Sequence, residues 1–265
     1  MFTLLPLFLG RGGEGRGGMI AIQGIEGLRE IQPGDDLGLL IAEACGRQGV
    51  SLEDGDVLVV TQKAVSKSEG RSVNLDEVEP SRLAMQLATQ WDKDARHVEV
   101  VLRESKRIVK MDRGVIICET RHGLVCANAG VDASNVPNGQ LMLLPVDPDA
   151  SAQRIRATLR EATGADVAVI VSDTFGRPWR AGYTEVAIGV AGMLPLIDYV
   201  GQVDTHGREL KVTVICIADE LASAAEMVTG KINRVPVAHI RGYAVPRGEG
   251  SAKEIVRAAE LDLFR

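Results

Sequence analysis

Glycine, proline and aspartate residues divide the chain into short apolar runs and amphipathic stretches. Runs of about four to eight apolar residues are typical of buried strands, and apolar residues that recur every three or four positions are typical of helices. Strands are predicted at 20–25, 57–60, 97–102, 115–120, 167–171, 210–217 and 236–243. Helices are predicted at 37–48, 80–95, 150–163 and 219–228, with one more at the carboxyl end.

The order of these elements indicates the fold class. Asp35 or Asp36 can cap the helix that begins at residue 37, and Gly164 can end the helix at 150–163. Strands and helices do not alternate strictly, and no GxGxxG sequence links a strand to a helix, so the pattern does not support a Rossmann domain. We predict an α+β fold of mixed, layered sheets and helices over residues 19–265, as one domain or as two interlocked lobes.

Residues 1–18 differ from the rest of the chain. The apolar opening MFTLLPLFLG is followed by a glycine-rich linker at 10–18. The opening lacks a cluster of positive charges, and no A-x-A-like cleavage site follows it, so we do not expect a signal peptide. The linker composition is typical of a flexible segment, and we predict that residues 1–18 form a disordered extension. The alternative is that the start of the protein has been assigned too early and that Met19 begins the chain.

Composition argues against several classes of function. A formal net charge of -6 and an aromatic content of 3% are unfavourable for nucleic-acid binding, which needs a basic face and stacking rings. No apolar run reaches the roughly 18 to 20 residues of a membrane span. The four cysteines show no CxxC spacing, and three of them lie in apolar runs. We expect buried thiols in a reducing cytoplasm, and neither a zinc site nor disulfides. We therefore expect a cytoplasmic protein with no nucleic-acid or membrane partner.

Three polar stretches follow strand-like runs and carry the candidate chemistry. Carboxylate and hydroxyl oxygens at strand ends suit Mg²⁺ or Mn²⁺, and a nearby lysine can neutralise a phosphate. Each stretch also has a purely structural interpretation, namely a helix cap, an Asx turn or a solvated basic loop. The three stretches supply Asp173 with Thr174, Asp132 with Asn135, and Ser66 with Lys67.

The predicted loop at 175–182 strengthens the functional interpretation. Its residues Arg177 and Arg180 can each bind phosphate or carboxylate through two hydrogen bonds. The chain has no Ser-His-Asp, Cys-His or HExxH pattern, and His239 lies in an apolar strand, where a core histidine is the expected role. The residues therefore favour a metal-dependent enzyme that acts on a phosphorylated ligand.

Four segments of the chain resemble motifs of the coenzyme F-420:L-glutamate ligase family (CofE). The segments are TQKAVSKSEGR (61–71), ANAGVDASNVPNG (127–139), VSDTFGRPWRAGYTEVAIGVAG (171–192) and VPVAHIRG (235–242). The resemblance implies GTP-dependent addition of L-glutamate to the phospholactate arm of the coenzyme F-420 precursor through an acyl phosphate. GDP and phosphate are released, and later rounds build a γ-linked tail. It further implies a CofE-like α+β fold, two Mg²⁺ or Mn²⁺ ions, one K⁺ and a homodimer.

The resemblance also assigns roles to individual residues. Asp132 and Asp173 match metal ligands, and Thr174 matches a ligand of a second ion. The nucleotide contacts implied are Leu28, Arg29, Glu30, Ile31, Gln62, Lys67, Asn135, Thr229, Gly230, Lys231, Ile232, Asn233, Arg234, Val235 and Pro236. Two residues depart from the family pattern. Gln62 stands where a serine or threonine can occur, although its amide can still donate to phosphate, and Lys231 lies near where some relatives offer a side-chain oxygen to the second ion. An ammonium group cannot ligate a cation, so a backbone carbonyl or water is expected to serve there.

We expect Lys67, Arg177 and Arg180 to act on the reacting groups, the two arginines by holding the phosphodiester or the incoming glutamate. Two other functions remain open. A metal-dependent nucleotide phosphohydrolase would need the same metal and phosphate groups but no acceptor pocket. A regulator that binds nucleotide without turnover is also compatible with the residues.

Overall fold

The structure is a computed structural model that describes residues 19–134 and 137–263. The disordered extension predicted for residues 1–18 lies outside this part of the chain, and so does Asn135. None of the described helices is both long and apolar enough to cross a membrane.

Strands and helices are interspersed along the described chain. The strands are β1 (Ala21–Ile25), β2 (Val57–Thr61), β3 (Ser72–Asn74), β4 (Ser105–Asp112), β5 (Val115–Thr120), β6 (Val125–Ala127), β7 (Gln140–Met142), β8 (Ala168–Arg177), β9 (Arg180–Ala191), β10 (Leu196–Asp198), β11 (Val214–Cys216) and β12 (Val237–Arg241). The helices are α1 (Leu37–Gln48), α2 (Gln62–Ser68), α3 (Arg82–Trp91), α4 (Ala95–Glu104), α5 (Pro148–Thr163) and α6 (Ile217–Thr229).

A five-stranded sheet in the order β1-β12-β2-β8-β9 forms the centre of the fold. Only β2 and β8 are parallel, and the other neighbouring strands are antiparallel. Side chains alternate across each strand, so Leu58 and Val60 join one apolar cluster while Val57 and Val59 join another. Helices α1 and α5 complete the first cluster and α6 completes the second. The predicted α+β fold is confirmed, and the mixed sheet differs from the parallel sheet of a Rossmann domain.

A third apolar cluster lies beside the central sheet. It joins α3 and α4 to β5, through buried residues such as Leu87, Val101 and Ile116. Strand β5 belongs to a separate three-stranded sheet in the order β4-β5-β6. This cluster matters for the site because it also contains Val131, the residue next to Asp132.

The strand predicted at 97–102 is wrong, because these residues form part of helix α4. Asp94 caps this helix by accepting a hydrogen bond from the backbone N–H of Arg96 at 2.8 Å. Within the helix, Glu99 and Arg103 form an ion pair of 2.8 Å one turn apart. A short apolar run fits either a strand or a buried helix, and here the cap decides in favour of the helix.

Other element boundaries also differ from the prediction. Helix α3 begins at Arg82 after the cap residue Ser81, and it buries Leu87 and Ala88 but exposes Leu83 and Met85. The strand predicted at 210–217 is reduced to β11, because α6 starts at Ile217. The carboxyl-terminal helix is replaced by single turns of 3-10 helix at 252–255 and 259–261.

Candidate active site at one edge of the central sheet

The topology brings four segments that hold predicted site residues to one edge of the central sheet. The parallel strands β2 and β8 run to the same edge, with Thr61 opposite Ser172. Helix α2 starts directly after β2, and Asp173 comes directly after Ser172. At the same edge β1 ends and β12 begins, with Ile25 opposite Val237. The segments at 26–36 and 229–236 therefore also lie at this edge.

The loop predicted at 175–182 is wrong, because these residues form the outer part of a β-hairpin. Strand β8 continues beyond Asp173 to Arg177, which pairs with Arg180 of β9. Trp179 takes a positive φ of 65° in the tight turn between them. The register of this hairpin places Thr174 directly opposite Glu185, a residue that we did not predict as part of the site. A register shift in the pairing lies between Val171 and Ser172, two residues before Thr174, and such irregularities often redirect side chains next to functional sites.

Three side chains at this edge contact one another directly, those of Glu185, Thr174 and Lys231. Thr174 and the Lys231 ammonium both donate hydrogen bonds to Glu185 Oε1, the latter at 2.6 Å. The ammonium also contacts Thr174 Oγ1 and lies 3.3 Å from Glu226 Oε1. The Glu185 side chain is 6% exposed, and its second oxygen, Oε2, is buried with no hydrogen-bond partner among the described residues.

Asp132 is held at the site by a second lysine that the sequence analysis missed. Lys63 Nζ lies 2.7 Å from Asp132 Oδ2 and donates to Ser134 Oγ at 2.5 Å. The backbone N–H and the hydroxyl of Ser134 donate to the two oxygens of the same carboxylate at 2.7 and 2.9 Å. Burial alone would raise the pKa of Asp132, but the hydrogen bonds from Lys63 and Ser134 lower it overall. Asp132 is therefore held as a carboxylate.

Asp173 interacts with the charges of both groups, and its pKa is shifted in the opposite direction to that of Asp132. Burial, together with the negative charges of Glu185 and Asp132, raises the pKa of Asp173 to about 7, against the lowering effect of Lys231. Besides burial, the pKa rises because three carboxylates share one region, and Asp173, unlike Asp132 and Glu185, has no lysine of its own.

These carboxylates can be tested for their fit to a divalent ion. A cation next to Asp173 would relieve the repulsion from Glu185 and Asp132, and the buried Glu185 Oε2 is an oxygen acceptor without a partner. Among residues 19–134 and 137–263, however, no three His, Cys, Asp or Glu side chains are close enough together to bind one ion by themselves. The residues fit a cation held by two carboxylates, with hydroxyl groups, water or a phosphate completing the shell.

The predicted nucleotide segments meet next to the carboxylates. Lys67 Nζ lies 2.5 Å from Glu30 Oε1, and the hydrogen bond from Lys67 lowers the pKa of Glu30. Arg234 Nη2 lies 3.9 Å from the second oxygen of Glu30. The Glu30 carboxylate thus links the first predicted nucleotide segment to helix α2 and to the last predicted nucleotide segment. Arg29 is paired with Asp35 at 2.6 Å.

The other predicted nucleotide residues differ in how accessible they are. Gln62 is 2% exposed, and its amide donates to Ser66 Oγ at 2.6 Å and to the Leu143 carbonyl at 3.0 Å. A nucleotide contact at this residue would therefore use the backbone. Leu28 packs against the first apolar cluster, Ile31 and Thr229 are buried, and Ile232 and Arg234 are exposed. Ile232 and Arg234 belong to the last predicted nucleotide segment, which follows Thr229 and comprises Gly230, Lys231, Ile232, Asn233, Arg234, Val235 and Pro236.

Arg177 and Arg180 lie farther from the carboxylates than the sequence suggested. Both are exposed near the hairpin turn, and Arg177 donates to the Ala181 carbonyl at 3.3 Å. Arg177 is the fourth residue after Asp173 in β8, a distance of about 13 Å along the strand. Contact with a long substrate fits this position better than direct action on the atoms near Asp173.

His239 has the structural role that we predicted. It is 3% exposed, and its ring lies 2.7 Å from Asp56 Oδ2 and 3.0 Å from Gln23 Nε2. The three buried cysteines, Cys45, Cys118 and Cys126, are free thiols, as is the partly buried Cys216.

The structure combines an α+β fold with paired carboxylates and lysines at one edge of the central sheet. Comparison with known proteins gives the family and, with it, an enzyme of the ligase class. The model of the F420-0:Gamma-glutamyl ligase family matches residues 26–242, and the chain belongs to this family. The coenzyme F420:L-glutamate ligase of Methanothermobacter thermautotrophicus is 46% identical over 93% of this chain and 99% of its own length. The enzymes of that name from Methanopyrus kandleri and Archaeoglobus fulgidus are 48% and 44% identical over 89% and 91% of this chain, and 94% of each relative is covered.

Proposed function

We propose that this protein uses GTP to add L-glutamate to the phospholactate arm of the coenzyme F-420 precursor through an acyl phosphate, with γ-linkage in later rounds. The observation that carries the proposal is the meeting of Asp132, Asp173, Lys63 and Lys67 at one edge of the sheet, between segments that link through Glu30. The names of the relatives support the acceptor and the amino acid.

The proposed chemistry follows from the low reactivity of a carboxylate. An oxygen of the substrate carboxylate attacks the γ-phosphorus of GTP, and the bond between that phosphorus and GDP breaks. The glutamate amine then attacks the acyl carbon and loses a proton to the solvent as the amide forms. The bond from that carbon to the phosphate oxygen breaks, and phosphate leaves with the electron pair. Such a reaction depends mainly on positioning and on neutralising phosphate charge, which cationic side chains can provide.

Individual side chains divide these tasks. Lys63 and Lys67 lie where the predicted nucleotide segments meet, and both can neutralise phosphate oxygens once released from Asp132 and Glu30. Asp132 and Asp173 would hold a divalent ion, Mg²⁺ or Mn²⁺, which supplies further charge neutralisation to the phosphates. Of the two divalent ions that the family resemblance implies, the proposal keeps the one at Asp132 and Asp173. It also includes one K⁺, a homodimer and a cytoplasmic location, which rest on the family resemblance and on the sequence.

The proposal is tested by mass spectrometry of the purified protein with glutamate-free coenzyme F-420, L-glutamate, GTP and Mn²⁺. A mass gain of one or more glutamyl units that requires GTP supports it. GTP hydrolysis without this gain would replace it with the phosphohydrolase function. GTP binding without either reaction would replace it with the regulator.

The affinity for Mn²⁺ is expected to rise by about tenfold between pH 6 and pH 8. A carboxyl group with a pKa of about 7 is mostly protonated at pH 6 and mostly ionised at pH 8, and only the ionised form binds the cation. Isothermal titration calorimetry at both pH values measures the change. An affinity that does not vary with pH would contradict the raised pKa of Asp173.

Replacing Arg177 and Arg180 with alanine is expected to raise the KM for the coenzyme F-420 precursor about tenfold and to leave kcat nearly unchanged. Loss of an exposed, charge-assisted contact remote from the reacting atoms weakens binding in the ground state and the transition state alike. Arg82→Ala, which removes an exposed arginine from α3, is the matched control. An unchanged KM in both hairpin variants would exclude the arginines from substrate binding.

A further inference from the structure

Lys231 is surrounded by oxygen atoms at the edge of the sheet. Its ammonium lies 2.6 Å from Glu185 Oε1 and 3.3 Å from Glu226 Oε1, and it contacts Thr174 Oγ1. Two carboxylates and a hydroxyl oxygen around one ammonium favour its charged form, so the contacts hold a cation in this position.

The atoms around this ammonium are those that a small divalent ion would need. Glu185 is nine-tenths buried or more, and its other oxygen, Oε2, has no hydrogen-bond partner among the described residues, which is unusual for a buried carboxylate. Thr174 provides a hydroxyl oxygen on the facing strand. An ion bound to Thr174 and Glu185 at about 2.0–2.6 Å would lie against the ammonium, and the two positive charges would repel each other.

We propose that the Lys231 ammonium is a built-in cation that replaces one divalent ion at Thr174 and Glu185. The chain then binds one divalent ion, at Asp132 and Asp173, instead of the two that the family resemblance implies. This inference rests on the proposed function only in taking the site to use divalent ions. Charge at Thr174 is supplied permanently by the protein, so activity should depend on the concentration of one bound ion and not of two.

Asp132 differs from Glu185 in the contacts of its lysine, and this difference fits one divalent ion instead of two. Lys63 pairs with Asp132 and also donates to the hydroxyl of Ser134, which itself donates to Asp132. Asp173, in contrast to Asp132, has no lysine of its own. Glu185 instead shares its lysine with Thr174 and Glu226, so the ammonium is enclosed by the ligands themselves. Asp173 at the first position has no lysine of its own and can accept an incoming ion, whereas at the second position the ammonium already lies against both Thr174 and Glu185.

The test counts bound Mn²⁺ ions on the full chain by equilibrium dialysis, with Mn²⁺ alone and with Mn²⁺ plus GDP. One ion per chain is expected for the unmodified protein and for Lys110→Gln, a control that removes an exposed positive charge from β4. Two ions are expected for Lys231→Gln, which supplies an amide oxygen in place of the ammonium. The double variant Lys231→Gln with Glu185→Gln should return to one ion, because the second position loses its carboxylate.

Electron paramagnetic resonance of the unmodified protein gives a second, independent measurement. Two Mn²⁺ ions about 3.5–4 Å apart would couple magnetically, whereas a single ion gives an uncoupled spectrum. Coupled ions in the unmodified protein would overturn the inference, and so would a folded Lys231→Gln variant that still binds one ion. Failure of glutamylation would overturn the proposed function but would leave the ion count unchanged, so the two failures can be told apart.

Discussion

Replacing Asp173 with asparagine is expected to reduce glutamylation by about 100-fold or more and, at the same time, to make the ion-free protein more stable at pH 8. The loss of activity follows from removal of the carboxylate that binds the divalent ion. The gain in stability follows from the pKa of about 7 for Asp173, well above the roughly 3.9 of an unfolded chain.

The direction of the stability effect follows from proton binding. The folded protein binds the Asp173 proton more tightly than the unfolded chain, so folding is favoured at low pH and loses free energy as pH rises from about 4 to about 7. At pH 8 the ionised carboxylate costs on the order of a few kcal/mol, and less than the full shift implies because Asp173 keeps some contact with solvent. Asparagine has the same shape without the charge and removes this cost.

Asp132→Asn is the matched control, because the pKa of Asp132 is lowered and not raised. Its carboxylate contributes stability above the unfolded pKa, and this contribution is lost as pH falls. Asp132→Asn should therefore lose both activity and stability at pH 8. Thermal melts of both variants at pH 5 and pH 8, without metal, measure the difference. Equal melting temperatures for Asp173→Asn and the unmodified protein at pH 8 would contradict the proposed electrostatics.

The two central aspartates could be predicted from the sequence for a simple reason. An apolar strand that ends in Ser-Asp-Thr places those side chains at a sheet edge, whatever the exact strand order. Asp132 follows a similar apolar run, and oxygen-bearing side chains in both places favour the same ions. The fold class was equally accessible, because it depends on the order of the elements and not on their pairing.

Glu185 and Lys63 could not be found in this way. Glu185 reaches the site only because β8 continues to Arg177 and pairs with β9, and this register depends on tertiary contacts that a loop interpretation of 175–182 omits. Lys63 lies in α2, which was interpreted as part of a strand-tip loop, so nothing indicated that its side chain faces Asp132. Chemistry that depends on a residue type at a strand end is visible in the sequence, and chemistry that depends on cross-strand pairing is not.

Gly189→Ala is expected to destabilise the protein by about 2–3 kcal/mol and to lower its melting temperature by roughly 2–4 °C for each kcal/mol. A Cβ atom at Gly189 would lie 2.4 Å from the carbonyl carbon and oxygen of Pro148, in the first turn of α5. These are backbone atoms, so either α5 or β9 has to move. The backbone N–H of the next residue, Val190, donates to Asp149 of the same helix at 2.8 Å, and the movement would strain this contact too.

Gly176→Ala in the other strand of the hairpin is the control for Gly189→Ala. A Cβ atom at Gly176 would meet only the Tyr183 ring, at 3.6 Å, which is ordinary van der Waals contact, so the expected change is within about 0.5 kcal/mol. Urea unfolding of both variants measures the two changes in stability, and equal changes would show that β9 and α5 are not in close contact at Gly189.

Because Glu185 lies four residues before Gly189 in the same strand, displacement of β9 should also move Glu185 away from Thr174 and Lys231. Gly189→Ala should therefore lose activity at temperatures where it is still folded, whereas Gly176→Ala should not.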